Sequence, residues 1–114
     1  MLNTIAELPA YRELAEKHLN VEERQAIIDY LAEHPKAGDV MQGAGGLRKL
    51  RWGKSGRGKS GGVRIVYYFH DERLPLYLIT LFAKNERANL TAAERQTLAK
   101  LVDVLVATAL GRHR

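Results

Sequence analysis

The sequence predicts an α+β domain in which two N-terminal helices and a long C-terminal helix pack on a small, mainly antiparallel sheet. Three observations predict it. Apolar residues recur with helical spacing as far as His34, with period two between Leu47 and Ala83, and with helical spacing again beyond Thr91. A chain of 114 residues is long enough for one core and short for two, so residues 1–114 are expected to form a single domain.

Ahead of the first helix, "LNTIAEL" alternates in character as a short strand does. Tyr11, Leu14, Ala15, His18 and Leu19 then line one helical face, with Pro9 in the first turn, which predicts a helix from Pro9 to about Leu19. Asn20 followed by Glu23 is an N-cap signature for a second helix, striped by Ala26, Ile27, Tyr30 and Leu31, and Pro35 stops it at His34. The glycine-rich "KAGDVMQGAGG" is expected to be loop. In "LRKLRW", Leu50 and Trp52 point one way and Lys49 and Arg51 the other. In "GVRIVYYFH", Val63, Ile65, Tyr67 and Phe69 share a face opposite to Arg64, Val66, Tyr68 and His70. "HDER" reads as a turn, and the apolar "LYLITLFA" as a central strand closing a three-stranded meander. Thr91 and Glu94 form a capping box for the last helix, whose stripe of Leu98, Leu101, Val102, Leu105, Ala109 and Leu110 ends at Gly111.

Charge is distributed unevenly. Residues 1–39 hold four basic and eight acidic side chains, residues 40–70 seven basic and none acidic, and residues 71–114 seven basic and five acidic. The net charge of +5 is therefore concentrated in Arg48, Lys49, Arg51, Lys54, Arg57, Lys59 and Arg64, the footprint of a phosphate-rich partner. The absence of cysteine excludes disulfides and thiolate chemistry and fits a reducing compartment, so a cytoplasmic location is expected. No apolar run approaches the length of a membrane span, so no membrane association is expected.

"GKSGRGKS", residues 53–60, matches the phosphate-binding loop of nucleotide hydrolases letter for letter. That chemistry needs the lysine and serine to open a helix whose N-terminal amides hold the phosphates. Here a period-two, β-branched and aromatic segment follows, so the glycines are read as a hairpin connection and a nucleotidase is rejected.

The order of elements, with "GGLRKLRW", "GRGKSGGVRIVYY" and "LFAKNERANLT", resembles the RelE/ParE toxin superfamily and within it the HigB-like branch, over nearly the whole chain. The resemblance implies a RelE-like fold and a toxin of a type II toxin-antitoxin pair. It further implies a ribosome-dependent mRNA endonuclease that cleaves in the A site without a metal, through attack by the 2′-hydroxyl of the message. The alternative it leaves open is a ParE-like toxin that inhibits DNA gyrase and has no RNase activity; a non-catalytic RNA-binding module is a third reading. The implied partners are the ribosome, mRNA and a cognate antitoxin with a helix-turn-helix domain, and no cofactor or metal is called for.

Arg64 matches the family's strand arginine and is the first candidate for phosphate contact in the transition state, against a structural arginine paired with an acid of the N-terminal helices. Lys84 matches a basic position at the end of the last strand, and Lys49 with Arg51 match an alternating basic pair. These four are the candidate catalytic residues. Arg48, Lys54, Arg57 and Lys59 are candidates for RNA phosphates, and Tyr68 for stacking a base, against packing beneath the last helix. Asn85 and Thr91 stand where the family pattern carries an arginine and a tyrosine, which leaves the general base unassigned. His70 is read as a turn histidine without a partner.

Overall fold

The computed structural model describes residues 2–53 and 62–111. Its elements run β1 (Ile5–Glu7), α1 (Pro9–His18), α2 (Val21–Glu33), β2 (Asp39–Val40), β3 (Arg48–Trp52), β4 (Val63–Tyr68), β5 (Leu76–Ala83) and α3 (Ala92–Ala109). The five strands lie in the order β1-β5-β4-β3-β2. All neighbours are antiparallel except β1, which runs parallel to β5.

The starts of α2 and α3 follow from their caps. The Asn20 side chain accepts the Glu23 N–H at 2.7 Å while Glu23 accepts the Asn20 N–H at 2.9 Å, and Thr91 with Glu94 repeats the exchange at the head of α3. Tyr11, Ala15 and Leu19 from the first helical segment and Ile27 and Leu31 from α2 join Val63, Ile65, Tyr67, Leu76, Leu78 and Leu81 in one apolar cluster. Ala26 and Tyr30, expected on that stripe, are exposed. On the other face Val66, Ile79 and Phe82 pack with Val102 and Val106 of α3.

Two features were not expected. Asp39–Val40, inside the predicted loop, forms the edge strand β2, because the chain doubles back against β3 with Asp39 opposite Lys49 and Val40 opposite Arg48. In β5, Ile79 has no residue opposite it: Thr80 faces Val66 and Leu78 faces Tyr67. This bulge switches the alternation, so Leu78 and Leu81 both face the N-terminal helices while Ile79 and Phe82 both face α3.

Candidate phosphate-binding face

β3 and β4 position the cations. Their register sets Arg51 directly opposite Arg64 and Lys49 opposite Val66, so all three basic side chains leave the same face of the sheet, the one that α3 covers further along. Residues directly opposite on antiparallel strands have Cβ atoms about 5 Å apart, and diagonal ones about 7–8 Å apart. Arg51 is exposed, Arg64 is half-buried, and Val66, the next residue on that face, is fully buried. Burial, and then the Arg51 charge, push the Arg64 guanidinium below its ordinary value. It stays cationic at neutral pH all the same.

On the far side Arg64 faces Phe82 of β5. Lys84 lies two residues beyond Phe82, in the turn that leaves the strand, with its N–H donated to the Gly62 carbonyl at 3.2 Å. That bond carries the ladder one step past Ala83 and brings Lys84 to the Arg64 end of β4. Gly62 is required there. Its φ is +104°, and a Cβ would lie 2.6 Å from the Trp52 carbonyl oxygen.

Among the described residues, Arg64 pairs with no carboxylate; its Nη1 lies 3.5 Å from the Val63 carbonyl. Among the described residues no salt bridge joins Arg64 to the N-terminal helices; the ion pair there runs from Arg24 of α2 to Glu7 of β1, at 3.6 Å. Arg48 is not part of this group. It lies opposite Tyr67 on the other face, where its Nη1 donates to the carbonyls of Gly38 at 2.7 Å and Lys36 at 3.2 Å. Lys54, Arg57 and Lys59 lie outside the described residues. Tyr68 is half-buried and packs with the α3 cluster, and burial raises its phenol pKa, with Asp103 and Asp71 adding to the rise.

His70 corrects its sequence reading. It has partners: Nδ1 shares a 3.1 Å hydrogen bond with the Tyr68 hydroxyl, and Nε2 lies 3.6 Å from Asp71. Asp71 is itself clamped by Arg73, which holds its carboxyl at about 2. Tyr68 follows Val66 on the same face, one step beyond Lys49, and His70 lies past the end of β4; both are four or more residues from Arg64.

Two neighbours of the site were missed in the sequence. Asp39, counted there with the acidic N-terminal segment, stands opposite Lys49 and puts a carboxylate at the edge of the basic face. Arg87 lies 5.7 Å above the Phe82 ring and forms a two-pronged ion pair with Glu94. No spacing rule marks either residue, because one depends on an edge strand and the other on a turn folding back over β5. Among the described residues, no group of three or more His, Asp or Glu is placed to hold a metal ion, and no helix is long and apolar enough to cross a membrane.

A separate cavity of about 770 Å³ lies between α1, β5 and α3, with Leu14, Leu81, Leu98 and Leu101 among its walls. Its lining includes none of the four candidate catalytic cations. The basic face is thus an open sheet surface from which two guanidinium groups and an ammonium group leave adjoining ladder positions. Residues 32–111 match the family model described as the RelE toxin of the RelE/RelB toxin-antitoxin system. The match holds all of β2 to α3 and so every cation of this face. The chain belongs to the RelE toxin family: it is a toxin whose partner is an antitoxin.

Proposed function

We propose that this toxin is a ribosome-dependent mRNA endonuclease of the HigB-like branch, acting in the A site by metal-independent transesterification. The observation that carries the reading is the Arg51–Arg64 pair. Like charges directly opposite on a ladder destabilise a sheet, so a pair held there without a carboxylate between them is best explained by an anion that it binds.

In the reaction the message's 2′-oxygen attacks the adjacent phosphorus, its proton passes to a base, and the P–O5′ bond breaks. The leaving 5′-oxygen takes up a proton. The products are a 2′,3′-cyclic phosphate and a 5′-hydroxyl. Arg64 spans two non-bridging oxygens of the phosphorane, whose charge exceeds that of the ground state, so its contribution is largest in the transition state. Arg51 neutralises the same centre from across the ladder. Lys49 positions the substrate and takes part in proton transfer, and Lys84 stabilises charge from the end of β5. Lys54, Arg57 and Lys59 hold RNA phosphates by salt-dependent contacts. The ribosome, a cytoplasmic target, presents the message, and the antitoxin carries a helix-turn-helix domain.

Inducing the toxin and mapping RNA 5′ ends tests this. Codon-spaced breaks in translated messages, ending in cyclic phosphate, are expected. Intact RNA together with double-stranded DNA breaks would replace the reading with gyrase poisoning of the ParE type.

A further inference from the structure

The second face of β3 carries a group of rings that the cleavage reading does not use. Tyr30 of α2 is 39% exposed. Its ring centroid lies 4.9 Å from that of His34, tilted at 47°, and 5.7 Å from that of Trp52, edge-on at 63°. Beside these rings is a shallow cleft of about 380 Å³ lined by Tyr30, His34, Pro35, Lys36 and Ala37. Its floor is tied down: Arg48 grips the carbonyls of Lys36 and Gly38, and the Tyr67 hydroxyl accepts the Gly38 N–H at 2.8 Å. The Lys36 side chain is exposed.

We propose that the Tyr30–His34 cleft, with Trp52 edge-on behind Tyr30, is a stacking site for one unpaired RNA base, a second contact on the RNA held by the basic face. The inference rests on the proposed RNA-directed function. Three properties favour a base as occupant. Flat rings with an exposed portion accept any base by stacking, and a neighbouring lysine neutralises the attached phosphate. β2 pairs only with Arg48 and Lys49, so among the described residues Leu50, Arg51 and Trp52 have no strand on their outer side. Arg51 and Trp52 are adjacent and point to opposite faces, so an RNA strand gripped by Arg51 needs to pass only one open strand edge to put its next base on the cleft.

Trp52 is the single tryptophan and its ring lies 5.7 Å from that of Tyr30, so its emission reports on the Tyr30 wall of the cleft. A single-stranded uridine oligonucleotide, and separately ribosomes without message, are titrated into wild type, Tyr30→Ala, Tyr30→Phe and Arg64→Ala, with binding to ribosomes also followed by co-sedimentation. Stacking predicts RNA-dependent quenching in the wild type, about tenfold weaker binding for Tyr30→Ala, and near-wild-type binding for Tyr30→Phe. Weakening for both probes identifies a message base, and weakening for ribosomes alone a ribosomal one; either supports the site. Arg64→Ala is expected to lose cleavage yet keep the quenching. Equal binding by Tyr30→Ala and wild type overturns the proposal, as does loss of antitoxin capture with RNA binding intact, which makes the cleft a protein contact. Failure of the function itself reads differently, as a wild-type toxin that leaves translated messages whole.

Discussion

The Arg51–Arg64 pair lets the proposed function be tested apart from stability, because like charges directly opposite on a ladder oppose the fold. Arg64→Ala is expected to lower cleavage by about 10²–10³-fold, the cost of removing one transition-state donor, and to abolish growth inhibition while the antitoxin still binds. Full toxicity of that variant would remove Arg64 from the site. Arg51→Ala relieves a like-charge contact, so thermal melting is expected to show unchanged or slightly raised stability, by a few tenths of a kcal/mol, alongside reduced toxicity. A marked fall in melting temperature would show instead that Arg51 supports the sheet. Arg48→Ala takes the opposite course. With the Lys36 and Gly38 carbonyls losing their donor, denaturant titration should show a loss of about 1–3 kcal/mol, the value of hydrogen bonds from a charged group.

α3 and the β3–β4 hairpin each depend on a local device. Thr91→Ala removes the N-cap of α3 and should cost about 1 kcal/mol in denaturant unfolding. The same turn gives the protein an acid limit. The Arg87 guanidinium, helped by the Thr91 N–H, holds the Glu94 carboxyl down to about 2, below the roughly 4.3 of an unfolded chain. A depressed carboxyl stabilises fully above the unfolded value, and its contribution is lost as pH falls from about 5 towards 2. Amide protection at the head of α3, taken relative to intrinsic exchange rates, should therefore fall over that window, and Glu94→Gln should flatten the change; an unaltered profile would count against the pairing. Asp71, also held at about 2, titrates in the same range but at the other end of the sheet, so a local probe is needed. At the hairpin, Gly62→Ala must accommodate a left-handed φ and a Cβ against the Trp52 carbonyl. A loss of about 1–3 kcal/mol is expected, with activity falling because the Arg51–Arg64 register starts there.

For the molecule as a whole, the segregation of charge is the governing feature. The N-terminal helices carry six of the thirteen acids behind the sheet, while β3 and β4 carry four cations and no acid of their own. A surface of this kind binds RNA largely by counterion release, so affinity for ribosomes should fall linearly on a log–log plot against salt. Removing Lys49 or Arg51 should each reduce the slope by about one. A slope indifferent to these substitutions would place the RNA elsewhere on the molecule.

The sequence by itself determined the periods, the caps and hence the helices and main strands, because each depends on residues within a few positions of one another. It also fixed that Lys49 and Arg51 share one face of their strand and that Arg64 lies opposite Tyr67 on its own. Only the tertiary structure decided that these two faces coincide, since cross-strand register pairs residues from separate strands and no local spacing sets it. Alternation within β3 itself put Arg48 on the other face, whereas register brought Asp39 up to Lys49. It made a strand of Asp39–Val40, whose two residues carry too little periodicity to be read. His70 gained its partners, and Arg87 its place above Phe82, by the same route: contacts between side chains brought together by chain reversal leave no spacing for a linear reading to find.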